Sequence, residues 1–156
     1  LEILLRPSVE ADRPFLYAVY ASTRKEELAA VPWDEATKEA FLLQQATAQD
    51  DDYRARRPDG EFLVVAVDGI DVGRLYRTEL PGDELRLMDI ALLPEWRGRG
   101  IGTWLIEELV AEARQRGLLL SLHVEHSNPV RRLYERMGFT VAGEDAVNAR
   151  MELAPS

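Results

Sequence analysis

The chain has no cysteine and only two histidines in 156 residues. The first absence excludes disulfides, thiolate metal ligands and a cysteine nucleophile. The two histidines, His123 and His126, stand three apart, which on a strand puts them on opposite faces. A two-histidine zinc site is therefore disfavoured, and no metal is expected. No apolar run reaches the ~18–20 residues that a membrane span needs. No positively charged stretch followed by an apolar one opens the chain, so the expectation is a cytoplasmic protein with no membrane partner. Positive charge is scarce: 19 Lys and Arg face 28 Asp and Glu, for a net charge of −9. With no basic block to offset it, that balance argues against nucleic acid as a partner. It favours cationic small molecules or basic peptide ends, although solubility alone also accounts for it.

What is present is ordinary for a globular protein, with 46% hydrophobic and 30% charged residues. No repeat, low-complexity tract or dividing linker is visible, so residues 1–156 read as one domain. Leu1–Leu5 reads as a short strand. Asp12 and Pro14 suit the start of a helix running to about Ala21. Pro32 breaks the chain, and Asp34 caps a helix from Glu35 to Ala48. The polar run Gln49–Gly60 reads as a loop. Glu61–Val67 and Ile70–Glu79 flank Asp68-Gly69, a hairpin signal. Pro81-Gly82-Asp83 is a second turn, before a third strand over Leu85–Leu93. Ile101, Trp104, Leu105, Leu109, Val110 and Ala113 recur at helical spacing, and Gly117 ends that helix. Leu118–Glu125 is an apolar strand. Asn128-Pro129 opens a short helix closed by Gly138. Phe139–Ala142 and Val147–Leu153 complete the set. The single helix between the third strand and Leu118–Glu125 predicts that those two strands are parallel neighbours. Short turns elsewhere predict an antiparallel meander.

Arg97-Gly98-Arg99-Gly100-Ile101-Gly102 joins the third meander strand to the long helix. Glycines let backbone N–H groups approach a ligand closely, and the helix start adds unpaired donors and partial positive charge. Arg97 and Arg99 add full charges. A pyrophosphate fits such a turn, but so does a plain tight turn. A P-loop would need Gly-Lys-Ser/Thr, which is absent. A Rossmann fingerprint would need different glycine spacing inside a parallel βαβ unit.

Arg97-x-x-Gly100-x-Gly102 resembles the Gln/Arg-x-x-Gly-x-Gly/Ala element of the GNAT acetyltransferase superfamily. Asp89-Ile90-Ala91-Leu92-Leu93-Pro94-Glu95 resembles the strand and turn leading into it. Asn128 to Phe139, with Leu133-Tyr134 and Gly138-Phe139, resembles the family's Asn…Leu-Tyr…Gly-Phe block. The resemblance is close from Leu85 to about Val141. It implies an α/β (α+β) fold: a mixed, mostly antiparallel sheet split in a V and flanked by about four helices. It also implies acetyl-CoA as cosubstrate, with the pyrophosphate on Arg97, Gly98, Arg99, Gly100, Ile101 and Gly102. The pantetheine would lie along Ile90, Ala91 and Leu92, and Asn128 would contact the pantetheine or the next helix entry. Arg131 or Arg132 is the candidate to reach the adenosine phosphates.

The implied reaction is acyl transfer to a primary amine, borne by a small molecule or a peptide. It needs a neutral amine, donors for the oxyanion and a proton for the leaving thiolate. By the resemblance, a backbone N–H at Ile90 is the oxyanion donor. Tyr134 points to the CoA sulfur, where a phenol of pKa ~10 can protonate a thiolate of about 8.5. It also fits a core aromatic at helical spacing. His123 is the base candidate, five residues before Asn128, as in some N-terminal-amine acetyltransferases of the superfamily. Glu125 shares its strand face by period two and could attract the cationic amine or relay a proton. The family's strand base, eleven residues before the loop's first residue, is here Arg86, which cannot be one. That departure shifts the burden to His123, Glu125, Asp89 or Glu79, or leaves no dedicated base, with the minor neutral form of the amine bound directly. Trp33 and Tyr53 read either as walls of an acceptor pocket or as packing aromatics. The alternatives are a peptide N-terminal-amine acetyltransferase and a non-catalytic acyl-CoA-binding module, and the resemblance also allows a homodimer.

Overall fold

The computed structural model describes all residues 1–156. Seven strands and four α-helices follow one another in the order β1 (Ile3–Pro7), α1 (Arg13–Arg24), α2 (Glu35–Arg56), β2 (Glu61–Val67), β3 (Ile70–Leu80), β4 (Glu84–Leu92), α3 (Ile101–Arg116), β5 (Leu119–Glu125), α4 (Arg131–Arg136), β6 (Thr140–Glu144) and β7 (Asn148–Leu153). The strands form one mostly antiparallel sheet in the order β1-β2-β3-β4-β5-β7-β6. Contacts gather the chain into two compact units.

The first unit is Leu1–Tyr76 with Asp89–Gly102. β1 pairs antiparallel with β2 from Ile3↔Val67 to Pro7↔Leu63. Its core includes Leu16 and Val19 of α1, Leu42 and Ala46 of α2, and Val64, Val65, Val72 and Leu75 of the strands. Each of the Leu and Val side chains contributes about 1.5–3 kcal/mol through burial. Asp34 caps α2 as expected, accepting the Thr37 N–H at 2.7 Å. Asp12 does not cap α1 with its side chain, because its carboxylate is taken by Arg6 and the Val9 N–H.

The larger correction is in α2, which runs eight residues past Ala48 through the segment expected to be a loop. The polar side chains there are held by tertiary partners. Asp50 is fully buried, and its carboxylate accepts from Tyr76 Oη at 2.6 Å and Arg54 Nε at 2.8 Å, with Arg13 Nη1 at 3.1 Å. Those bonds satisfy a charge that a bare loop would leave to water.

The second unit is Arg77–Met88 with Thr103–Ser156. Here β4 and β5 run parallel, from Glu84↔Leu119 to Leu87↔Leu122, as the single crossover helix predicts. β5 continues as His123–Glu125, paired antiparallel with β7. β6 lies on β7 with a register irregularity between Val141 and Gly143. The apolar stripe of α3 differs by one residue from expectation: Trp104 is 40% exposed, and Ile106 is buried in its stead. The helix opened by Asn128-Pro129 starts two residues later, at Arg131. Asn128 Oδ1 accepts the Val130 N–H at 3.0 Å, a local turn that precedes the helix.

Candidate active site

The first unit holds the strand end Ile90–Leu92 and the glycine turn. Gly98 and Gly100 have φ of +72° and +83°, a left-handed conformation that side chains with a Cβ resist. A Cβ built at Gly98, Gly100 or Gly102 would meet nothing within 4 Å. The turn therefore presents bare backbone at the start of a 16-residue helix, whose first N–H groups have no intrahelical acceptor. Backbone N–H groups so presented can donate to an anion. The side chains of the two arginines have partners within the protein. Arg97 Nε donates to the Leu92 carbonyl at 2.9 Å and Nη2 to Ser22 Oγ at 3.3 Å, so its guanidinium braces the end of β4. Arg99 stacks over Trp96, 4.9 Å from the ring centre.

Sequence reasoning missed Gly73. A Cβ there would lie far inside contact distance of the Ala91 carbonyl oxygen and 2.7 Å from Leu92 Cδ2. The signal was a glycine inside a strand, which marks close backbone approach. Gly73→Ala is expected to displace Ala91–Leu92. It should lower stability by about 1–3 kcal/mol, the usual cost of overpacking, and weaken acetyl-CoA binding. Chemical denaturation and acetyl-CoA titration check this, and an unchanged denaturation midpoint would show that the strand yields freely.

Behind the same strand, Arg74 is 1% exposed. Its Nε donates to Asp89 Oδ2 at 2.6 Å and its Nη2 to Gln49 Oε1 at 2.6 Å. The guanidinium lies over Tyr76 and Tyr20, 4.7 and 5.6 Å from the ring centres. Asp89, one of the base candidates, is thus held in an ion pair. Tyr53 meets Tyr76 edge-on at 5.8 Å, the packing reading. Burial, then the Asp89 charge, pushes its phenol up to about 12. Trp33 packs edge-on against Phe41 at 5.4 Å.

The second unit holds His123, Glu125, Asn128 and Tyr134. His123 is exposed and Glu125 half-buried. Glu125 is joined to Asn128 by a backbone hydrogen bond of 3.0 Å. His126 lies beyond β5, in the turn, where Arg131 Nη1 donates to its Nδ1 at 2.9 Å and its Nε2 meets the Asp145 carbonyl at 2.8 Å. Arg131 is therefore turned to His126 and Glu135. Tyr134 is 4% exposed on α4, its ring 5.6 Å from Phe139. Glu79, another base candidate, is paired with Arg116. Arg86 donates from Nε to Ser121 Oγ at 2.8 Å and lies with Nη1 3.3 Å from His123 Nδ1. Burial first, then the charges of Arg86 and Arg150, lowers the His123 pKa and so favours the neutral ring.

Residues 17–139 match the family described as "Acetyltransferase (GNAT) family". A ribosomal protein bS18-alanine N-acetyltransferase of Haemophilus influenzae is 41% identical over 58 residues, 36% of this chain and 40% of that protein. A 5-NmdU N-acetyltransferase of Pseudomonas phage PaMx11 is 38% identical over 68 residues, 44% of this chain and 48% of that protein. The chain thus spans less than half the length of these curated relatives. Among solved structures, the PaiA N-acetyltransferase of Thermoplasma acidophilum in complex with coenzyme A shares the fold, with a TM-score of 0.73 at 21% identity over 99% of both chains.

Proposed function

Since this chain belongs to the acetyltransferase (GNAT) family, we propose that it transfers an acetyl or similar acyl group from acyl-CoA to a primary amine. Transfer is direct, within a ternary complex. The observation that carries this reading is the Arg97–Gly102 turn, with its two left-handed glycines and three open Cβ positions ahead of a long helix. In this reading the pyrophosphate lies on the N–H groups of that turn. The pantetheine arm hydrogen-bonds along Ile90, Ala91 and Leu92 like an added strand. The missing side chain of Gly73 leaves room for Ala91 and Leu92, and Arg97 braces the strand end.

The neutral amine nitrogen attacks the thioester carbonyl. The oxyanion is held by a backbone N–H at Ile90. As the C–N bond forms and the C–S bond breaks, the Tyr134 hydroxyl gives its proton to the departing thiolate. Glu125 attracts the ammonium form and takes up the proton that the nitrogen loses. His123 stands beside it on the same strand face. Asn128 shapes the entry to α4 and so the seat of Tyr134.

The acceptor is a small-molecule or peptide amine. Similarity to an alanine N-acetyltransferase favours, as the second reading, a peptide N-terminal amine. A non-catalytic acyl-CoA-binding module is the alternative from another class.

Calorimetric titration with acetyl-CoA, beside a Gly100→Glu variant, tests the cosubstrate site. The variant places a carboxylate where the pyrophosphate should sit. Micromolar-range binding by the native chain, lost in the variant, is the expected result. An amine screen following free-thiol release then identifies acceptors. If neither acetyl-CoA, longer acyl-CoA nor free CoA binds, the turn is structural and the proposal falls.

A further inference from the structure

The second unit carries a polar sheet face that the glycine turn does not explain. Across β4, β5 and β7 it brings together Glu84, Arg86, Ser121, His123, Arg150 and Glu152. Arg150 is the cross-strand partner of His123, and Ser121 is the partner of both Arg86 and Glu152. Arg86 is fixed. Its Nε donates to Ser121 Oγ, whose hydroxyl donates to Glu84 Oε2 at 2.5 Å, and Arg150 Nη2 donates to the same oxygen at 3.0 Å.

This anchoring decides the state of His123. A guanidinium can only donate. With Arg86 Nη1 3.3 Å from Nδ1, that nitrogen must offer its lone pair. The proton of the neutral ring then sits on Nε2, and the exposed imidazole presents an N–H rather than a basic nitrogen. The groups facing it are Arg86 and Glu84 from β4, Glu125 from its own strand, Arg150 and Glu152 from β7, and Asp145 from the turn before β7. The two arginines on the neighbouring strands disfavour a second ammonium at the ring and favour an oxygen. Glu125, two residues along the same face, is about 6.6 Å further on by strand rise.

We infer that His123 donates a hydrogen bond through Nε2 to a carbonyl oxygen on the carbon next to the one that bears the acceptor's amine. The acceptor is then an α-amino amide or a peptide N-terminus rather than a simple alkyl amine or a polyamine. This rests on the N-acyltransferase reading above, with Glu125 receiving the amine. Arg86 is a positioning residue that acts through His123.

Two measurements test it. Long-range proton–nitrogen spectra of histidine-labelled protein, with His126→Gln to isolate one ring, should show His123 with a bare Nδ1 and a protonated Nε2. Arg86→Met should release that preference. A protonated Nδ1 at neutral pH in the native chain would overturn the inference. Thiol release from acetyl-CoA is then followed with L-alaninamide and isopropylamine, which differ in the amide oxygen-bearing group. The ratio of their kcat/KM values should fall about tenfold in His123→Leu, the loss of one hydrogen bond, and be retained in His123→Gln, whose amide donates in its place. If His123→Gln instead depresses both amines equally and removes the low-pH limb of the rate profile, His123 is a base and the inference fails. If the native chain acetylates neither of these amines, the inference about the acceptor fails, while the N-acyltransferase reading is decided by the wider amine screen and the spectrum still decides the tautomer.

Discussion

Replacing Arg74 by Met should cost about 3–5 kcal/mol of folding stability, the range for breaking one side of a buried ion pair. The side chain is 1% exposed and donates to Asp89 and Gln49 while lying over Tyr76 and Tyr20. Met roughly preserves the volume but leaves the Asp89 carboxylate and the Gln49 amide without their donor. Asp89 is the softer loss, because its side chain is 22% exposed and water can reach part of it. Denaturant unfolding should show a lower midpoint at unchanged slope. A second change, Asp89→Asn on the Met background, should recover part of the loss, because it removes the stranded charge. A loss below about 1 kcal/mol for Arg74→Met would mean that the pair contributes little beyond offsetting its own desolvation.

Tyr134→Phe should leave the fold and acetyl-CoA affinity intact while lowering turnover about 100-fold, at the lower end for loss of a general acid. The variant keeps the ring that packs 5.6 Å from Phe139 and deletes one oxygen. Steady-state kinetics on any amine found by the thiol-release screen, paired with calorimetry, gives the result. Turnover within about threefold of the native chain would remove Tyr134 from the proton path, since general-acid loss is far larger. A native chain that binds acetyl-CoA but acetylates no amine would support the non-catalytic module instead.

Much of the fold could be read from local signals. The β2–β3 hairpin follows from Asp68-Gly69 between two apolar runs, and β2 spans Glu61–Val67 as expected. The parallel β4–β5 pair follows from the lone crossover helix. The family was legible because two motifs occur in order on the right elements. What escaped depends on partners far along the chain. The end of α2 looked like a loop because Asp50, Asp51 and Asp52 are polar, and nothing local reveals that Arg13 and Tyr76 satisfy Asp50. The role of Arg86 was hidden because its meeting with His123 depends on the register of β4 against β5, which fixes Arg86 opposite Ser121. No pattern in sequence says that the Arg97 guanidinium also turns back onto the Leu92 carbonyl.

The register irregularity between Val141 and Gly143 bears on how copies of this chain behave when crowded. β6 ends the sheet at one side, and all five of its residues are exposed. A regular strand in that position would offer a row of unmet N–H and C=O groups, a template onto which another chain could add itself. The irregularity breaks the even spacing of that row and twists the strand locally. The terminal strand is thereby a poor seed for edge-to-edge growth into fibres, a safeguard that comes from backbone geometry rather than surface charge.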